Sequence, residues 1–370
     1  MLPTRISHLL DIIKKAGLDA IAFNPGPSLT YLSGLHLGIM ERPMVLVLTT
    51  DAKAALVLPE LEMLKTKELS FQVEVFPYGD NPATWGKAFR QGSQALGLNG
   101  KKVGIEPTHM RVLELRYLEA AAPQAQFTAA GESLAALRMQ KEPGEIESMR
   151  KAVGVAQRAL QATLPHIRAN VTEREIAAEL TLQLLRNGLA SEFAFTPIVS
   201  SGPNSANPHA VPTDRKLAVG DLLVIDWGAI VDGYVADLTR TFAIGEVQAE
   251  FKHIAEVVMQ ANAAGRVAGR PGIAAGRVDQ AARKVIEDAG YGVYFTHRTG
   301  HGLGVEGHEE PYMFAENTLL LAPGMTYTVE PGIYLPGRGG VRIEDDILVT
   351  NEGCETLSDF PRELQVIGQS

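Results

Sequence analysis

The sequence predicts two domains, an α/β domain over residues 1–132 and a larger α+β domain over 133–370. Three observations carry this expectation. In the first third, short apolar runs alternate with helical patterns, as in a mixed sheet covered by helices. From Phe193 onward, strand-like runs outnumber helices and cluster as hairpins, the mark of an antiparallel sheet. Between them lies the charged helical stretch Leu137 to Val153, in which Pro143 suits the first residue of a new helix. The boundary is placed just before that stretch.

The chain opens on an amphipathic helix, with Ile6, Leu9, Leu10 and Ile13 at helical spacing and Asp11, Lys14 and Lys15 between them. Leu18 to Phe23 reads as a strand ending at Asn24-Pro25-Gly26-Pro27. Met44 to Thr49 and Ala54 to Val57 read as buried strands around a turn at Asp51, followed by short strands at Val73 to Phe76 and Val103 to Ile105. Helices are expected near Ala83 to Leu96 and His109 to Ala121. In the second domain, helices are expected at Glu145 to Ile167 and Thr172 to Asn187. Thr172 with Glu175 makes a capping box, and Gly188 suits the helix end. Strands follow at Leu222 to Ala229, Tyr234 to Ala243, Met325 to Val329 and Gly340 to Val349, and helices at Ala249 to Ala268 and Ala275 to Ala289.

Composition narrows the function. The chain has 370 residues, is 45% hydrophobic and 21% charged, and carries a net charge of -9. That is ordinary for a folded chain with a sizeable core. The acidic balance argues against a nucleic-acid partner, which needs a basic patch. Cys354 is the only cysteine, so an internal disulfide and a cysteine metal cluster are both excluded, in keeping with a reducing compartment. No stretch approaches the roughly 20 apolar residues that span a bilayer, and the N-terminus lacks a signal-peptide pattern. The expectation is a cytoplasmic protein with no membrane partner.

The chemistry-bearing residues fall in four places. In Leu222 to Phe242, Asp232-Gly233 signals a tight hairpin. That turn pairs Val231 with Tyr234 and Asp226 with Thr239, which puts Asp237 on the same face as Asp226 as a diagonal neighbour. Two carboxylates inside apolar strands need a positive partner. A second hairpin, centred near Arg338, would bring Glu330 and Glu344 together, with Pro331 interrupting its first strand. Asp345 points to the opposite face by alternation, and Asp346 is a rival to Glu344. The segment His297 to Pro311 holds three histidines among glycines, and imidazole with carboxylate suits divalent transition metals. His297 reads as structural, whereas His301 and His308 read as functional. Thr196 to Leu217 is a long Gly/Pro/Ser/Asn-rich loop carrying His209.

With Asp226, Asp237, His301, Glu330 and Glu344 in that order, the chain resembles the pita-bread metallopeptidase family of prolidase (Xaa-Pro dipeptidase), aminopeptidase P and methionine aminopeptidase. The creatinase-like N-terminal domain points to the prolidase and aminopeptidase P branch. The resemblance implies that Asp226 in IDWGA, Asp237 in ADLTRTF, His301 in GHGLG, Glu330 in VEPGIY and Glu344 in VRIED hold two metals. It also implies that His209 in NPHAV and His308 in VEGHEEP face the substrate. The implied substrate is a proline-containing peptide, and the implied assembly is a homodimer in which the loop His36 to Glu41 closes the partner's site.

Two divalent ions sharing a water would lower its pKa and supply hydroxide near neutral pH. Four carboxylates suit manganese or cobalt, with zinc also fitting. Glu330 is the expected proton carrier, and His209 and His308 the expected donors to the tetrahedral intermediate. A dipeptidase must also hold the free carboxylate after proline. Arg342 is the expected substrate-binding arginine, with Arg298 and Arg338 as rivals and salt bridging as the plain alternative for all three. Some prolidases carry an arginine directly after the HExP segment, where this chain has Tyr312. Aminopeptidase P activity on longer peptides, and a non-catalytic peptide-binding protein, are the alternatives.

Overall fold

The computed structural model describes residues 4–188 and 193–368. Its contacts divide the chain into two compact units, Met1–Arg138 and Met139–Ser370. The first unit runs α1 (Thr4–Lys15), β1 (Ala20–Phe23), α2 (Pro27–Ser33), β2 (Val45–Thr49), β3 (Ala54–Pro59) and a 3-10 stretch over Glu60–Glu68. It continues with β4 (Glu74–Tyr78), α3 (Pro82–Ala95), β5 (Lys102–Ile105), α4 (Val112–Ala121), β6 (Gln126–Ala129) and α5 (Gly131–Arg138). The six strands form one sheet in the order β4-β3-β2-β1-β5-β6. The β1–β2 and β2–β3 pairs are antiparallel, while β1–β5, β3–β4 and β5–β6 are parallel. The expected mixed sheet is therefore present. The apolar stripe of α1 buries Ile6, Leu9, Leu10 and Ile13.

Two features depart from expectation. Asn24 to Pro27 does not open a plain loop, because Pro27 starts the short helix α2, which ends at Gly34 in the left-handed region. The boundary expected at residue 132 falls inside α5, and α5 packs on α1, so that helix belongs to the first unit.

The second unit contains α6 (Pro143–Thr163), α7 (Glu173–Arg186), β7 (Ile198–Ser201), a 3-10 turn over Gly202–Ala206, β8 (Leu222–Val231), β9 (Tyr234–Ile244), α8 (Ala249–Ala268) and α9 (Gly276–Asp288). After these come β10 (Gly300–Gly302), β11 (Glu309–Met313), β12 (Thr326–Val329), β13 (Gly332–Leu335), β14 (Gly339–Arg342), β15 (Asp345–Val349), β16 (Cys354–Thr356) and β17 (Gln365–Ile367). Pro143 does open α6. Thr172 and Glu175 cap α7 reciprocally, each side chain accepting the other's backbone N–H. No helix among the described residues is long and apolar enough to cross a membrane.

The strands make sheets ordered β17-β9-β8-β7 and β11-β10-β12-β15-β16, with the ribbon β13-β14 apart. Helices α6 and α7 pack on β8 and β9, burying Leu160, Leu180, Ile225, Trp227, Leu238 and Phe242 in one cluster. Helices α8 and α9 bury Phe251, Ile254, Val258 and Ile286 against Ile333 and Val341. Each such side chain contributes about 1.5–3 kcal/mol by leaving water. The loop expected from Thr196 to Leu217 is partly structured, since β7 pairs with β8 through Ile198 and Asp226. Gly340 to Val349 is not one strand. It breaks at Ile343–Glu344, where the backbone N–H of Glu344 turns to the Thr239 carbonyl of β9 at 3.0 Å.

Candidate metal centre

The β8–β9 hairpin carries two carboxylates. Its register places Val231 opposite Tyr234, Asp226 opposite Thr239 and Asp237 opposite Gly228, so Asp226 and Asp237 are diagonal neighbours as the two-residue turn requires. Arg240, 2% exposed, bolts this hairpin to the other sheet. Its guanidinium donates to the carbonyls of Thr239, Glu344 and Phe360 and to Asp345 Oδ1.

Three further side chains reach the same place. His301 lies in β10 between glycines that admit no side chain: a Cβ on Gly300 would sit 1.9 Å from the Thr328 carbonyl oxygen, and one on Gly302 2.3 Å from that of Glu310. The His301 ring lies with Nδ1 3.1 Å from the Gly302 carbonyl, a bond that turns Nε2 toward the carboxylates. Nε2 is 3.4 Å from Glu330 Oε1 and 3.8 Å from Asp237 Oδ2. Glu330 follows β12, fixed by its N–H bond to the Thr299 carbonyl at 2.8 Å. Glu344 sits in the bend between β14 and β15, and its Oε2 accepts from Thr239 Oγ1 at 2.7 Å. The ribbon pairs Gly332 with Arg342 and the larger sheet pairs Val329 with Asp345, so Glu330 and Glu344 face one another where the two sheets part.

Ligand atoms of Asp226, Asp237 and Glu344 lie within 4.8 Å of one another. The same holds for those of His301, Glu330 and Glu344, and for those of Asp237, His301 and His308. Electrostatics show what such crowding costs. Burial, then the charges of Asp226, Asp346 and Glu330, push the Asp237 carboxyl well above its usual range. Burial, then Asp237 and Glu330, do the same to Glu344. Burial lifts Asp226 and raises Glu330 to about 8. Burial and His308 hold His301 well below an ordinary imidazole, so its ring is neutral and its nitrogen free to ligate. Asp226 Oδ1 is buried with no hydrogen-bond partner. Four destabilised carboxylates, a neutral imidazole and an orphaned oxygen fit divalent cations held by oxygen and nitrogen.

The cavity over this cluster is roughly 520 Å³ and is lined by all five of these residues together with His209, His308 and Arg342. The His308 ring lies against that of His301, tilted by 38° with centroids 3.8 Å apart, and burial with the Arg298 charge lowers its pKa. Arg342 is buried, 2.7 Å from Asp226 Oδ2. His297 and Arg298 line the cavity as well, whereas Arg338 pairs with Glu250 elsewhere. Asp345 faces away, bound by Arg240, Arg362, Ser358 and Asn262. Asp346 accepts the Asp237 N–H at 3.2 Å and stands behind the ligands.

The sequence reading did not single out four contributors. Phe195, Ile198 and Pro208 form an apolar side of the cavity. Thr239 orients Glu344, and its position opposite Asp226 in the hairpin was the available signal.

Residues 147–351 match the model of metallopeptidase family M24, and residues 5–140 match the creatinase/prolidase N-terminal domain. A Mycobacterium tuberculosis protein named "Probable dipeptidase PepE" is 39% identical over 360 residues, 95% of this chain and 93% of that protein. The crystal structure of a dipeptidase from Pyrococcus horikoshii superposes with a TM-score of 0.93 at 36% identity, covering 98% of this chain and all of the other. A recombinant prolidase from Thermococcus sibiricus gives a TM-score of 0.93 at 34% identity, with 98% of each chain covered. The creatinase-like and pita-bread domains expected from the sequence are thus both present, and the chain belongs to metallopeptidase family M24, in its prolidase branch.

Proposed function

We propose that this chain is a two-metal peptidase that hydrolyses the bond in front of proline, with Xaa-Pro dipeptides as its substrates. The observation that carries the reading is the convergence of Asp226, Asp237, His301, Glu330 and Glu344 on one cavity wall, with His209 and His308 on the same cavity. The names dipeptidase and prolidase borne by relatives that align over nearly the whole chain support the substrate class.

In this reading the five residues hold two divalent ions, manganese or cobalt ahead of zinc, which would activate a water and polarise the scissile carbonyl. Glu330 takes a proton at a carboxylate oxygen and delivers it to the leaving proline nitrogen. His209 and His308 donate hydrogen bonds to the substrate and to the developing oxyanion. Arg342 steadies Asp226 and lies along the substrate's path. Phe195, Ile198 and Pro208 supply an apolar wall. An Xaa-Pro bond has no N–H and a fixed proline φ, which favours recognition by shape over backbone pairing.

The purified chain, loaded in turn with manganese, cobalt and zinc, is assayed on Leu-Pro, Leu-Pro-Gly and Leu-Gly. Rapid release from Leu-Pro alone supports the proposal. Preference for Leu-Pro-Gly supports the aminopeptidase alternative, and binding without cleavage supports a peptide-binding protein. We further propose a cytoplasmic homodimer in which the His36 to Glu41 loop takes part; a monomer in sedimentation at micromolar concentration would remove that assembly.

A further inference from the structure

The cavity has two arginines, and they differ in what they already hold. Arg342 is 3% exposed and donates to Thr239 Oγ1, the Pro208 carbonyl, the Tyr334 hydroxyl and Asp226 Oδ2. Its fork is spent on the protein, and a carboxylate would find no free two-pronged face. Arg298 is otherwise placed. It lines the cavity, its guanidinium carbon lies 4.1 Å from the ring centroid of Tyr312, and among the described residues its side chain has neither an ion pair nor a hydrogen bond.

The backbone beneath Arg298 is pinned on both sides. Its carbonyl lies 2.7 Å from Nδ1 of His297, and the Thr299 N–H after it donates to Asp279 Oδ1 at 2.9 Å. The place of Arg298 over the Tyr312 ring then restricts the freedom of a long side chain. Arg342 is committed to Asp226, whereas Arg298 is the cavity arginine with no carboxylate partner among the described residues. A planar guanidinium in that position matches a carboxylate.

We propose that Arg298, lying over the Tyr312 ring, receives a carboxylate of the bound substrate. Tyr312, in β11, supplies the ring over which the guanidinium lies. The inference rests on the peptidase reading for the choice of ligand. The carboxylate has two possible sources, the C-terminus of a dipeptide or an acidic side chain at the residue before proline.

The test uses Leu-Pro, Leu-Pro-amide and Glu-Pro-amide with the full chain and its Arg298→Met, Arg298→Lys and Tyr312→Leu variants. Calorimetric affinity is measured with metal withheld, so that nothing turns over, and KM and kcat with manganese present. If the C-terminus is the source, Arg298→Met weakens Leu-Pro by about tenfold or more, mainly in KM, and leaves both amides unchanged. If an acidic side chain is the source, Glu-Pro-amide alone weakens. In either case Arg298→Lys restores part of the loss and Tyr312→Leu reproduces part of it. Equal effects on all three peptides, or none, overturn the proposal. If the wild-type chain binds with this pattern yet cleaves no peptide, the peptidase reading fails while Arg298 keeps its role.

Discussion

At Asp237 a buried carboxylate faces Asp226 and Glu330, and its own N–H is held by Asp346. Ionised, such a group is tolerable only with cations beside it. Asp237→Asn should therefore lower the bound metal, read by elemental analysis, and reduce activity by at least about 100-fold, the upper part of what ligand supports alone contribute. Asp346→Asn separates ligand from support. The amide oxygen still accepts the Asp237 N–H, so metal content should stay at the wild-type level; loss of one ion would make Asp346 a ligand. Thr239 is the support that the ligand list omits. Its Oγ1 sets Glu344 Oε2 at 2.7 Å, and Thr239→Val should weaken metal binding about 10–100-fold in a chelator competition, with the fold unchanged by circular dichroism.

At the scale of elements, legibility followed the locality of the pairing. The Asp232-Gly233 turn is two residues long, so it sets the register of β8 on β9 by itself, and the pairing of Asp226 with Asp237 is legible in the sequence. Glu330 and Glu344 could be brought near one another but not placed, because Pro331 stops one strand and Glu344 leaves the other to meet Thr239 of a different sheet. That last contact spans 105 residues and has no local signature. Helix α2 was missed for the opposite reason, since Asn24-Pro25-Gly26-Pro27 reads as a turn while Pro27 is an N-terminal helix residue. The glycines around His301 were legible as close-approach positions, though not what approached. Because a Cβ at Gly300 would meet backbone at 1.9 Å, Gly300→Ala should displace β10 from β12. The expected cost is about 1–3 kcal/mol or more, with His301 misplaced. Differential scanning calorimetry and metal titration should fall together; a variant with native Tm and native metal affinity would show that β10 can shift freely.

For the whole molecule, the centre makes stability depend on pH and metal jointly. Without metal, the folded chain holds Glu330 near pKa 8 against 4.5 in an unfolded chain, and Asp226, Asp237 and Glu344 are raised too. A carboxyl raised on folding favours the native state below its unfolded pKa and loses that favour as pH climbs through the folded value. His297, at about 4, with His301 and His308, acts in the opposite sense, chiefly below 6.5, where an unfolded imidazole takes up its proton. Between pH 6.5 and 8 the unfolded imidazoles lose the last of their protons and this opposing effect fades, so metal-free stability should fall with rising pH by up to about 1.4 kcal/mol per unit for each carboxyl still protonated. Manganese binds the deprotonated set and should reverse the trend, with proton release on binding and a larger gain in Tm at pH 8 than at 6.5. At 100 times its dissociation constant, one ion adds about 2.7 kcal/mol, several degrees for a unit of this size. Calorimetric scans at the two pH values, with and without manganese, measure both slopes. A metal-free Tm that rises from pH 6.5 to 8 would mean that the four carboxylates are compensated within the protein and have no need of an ion.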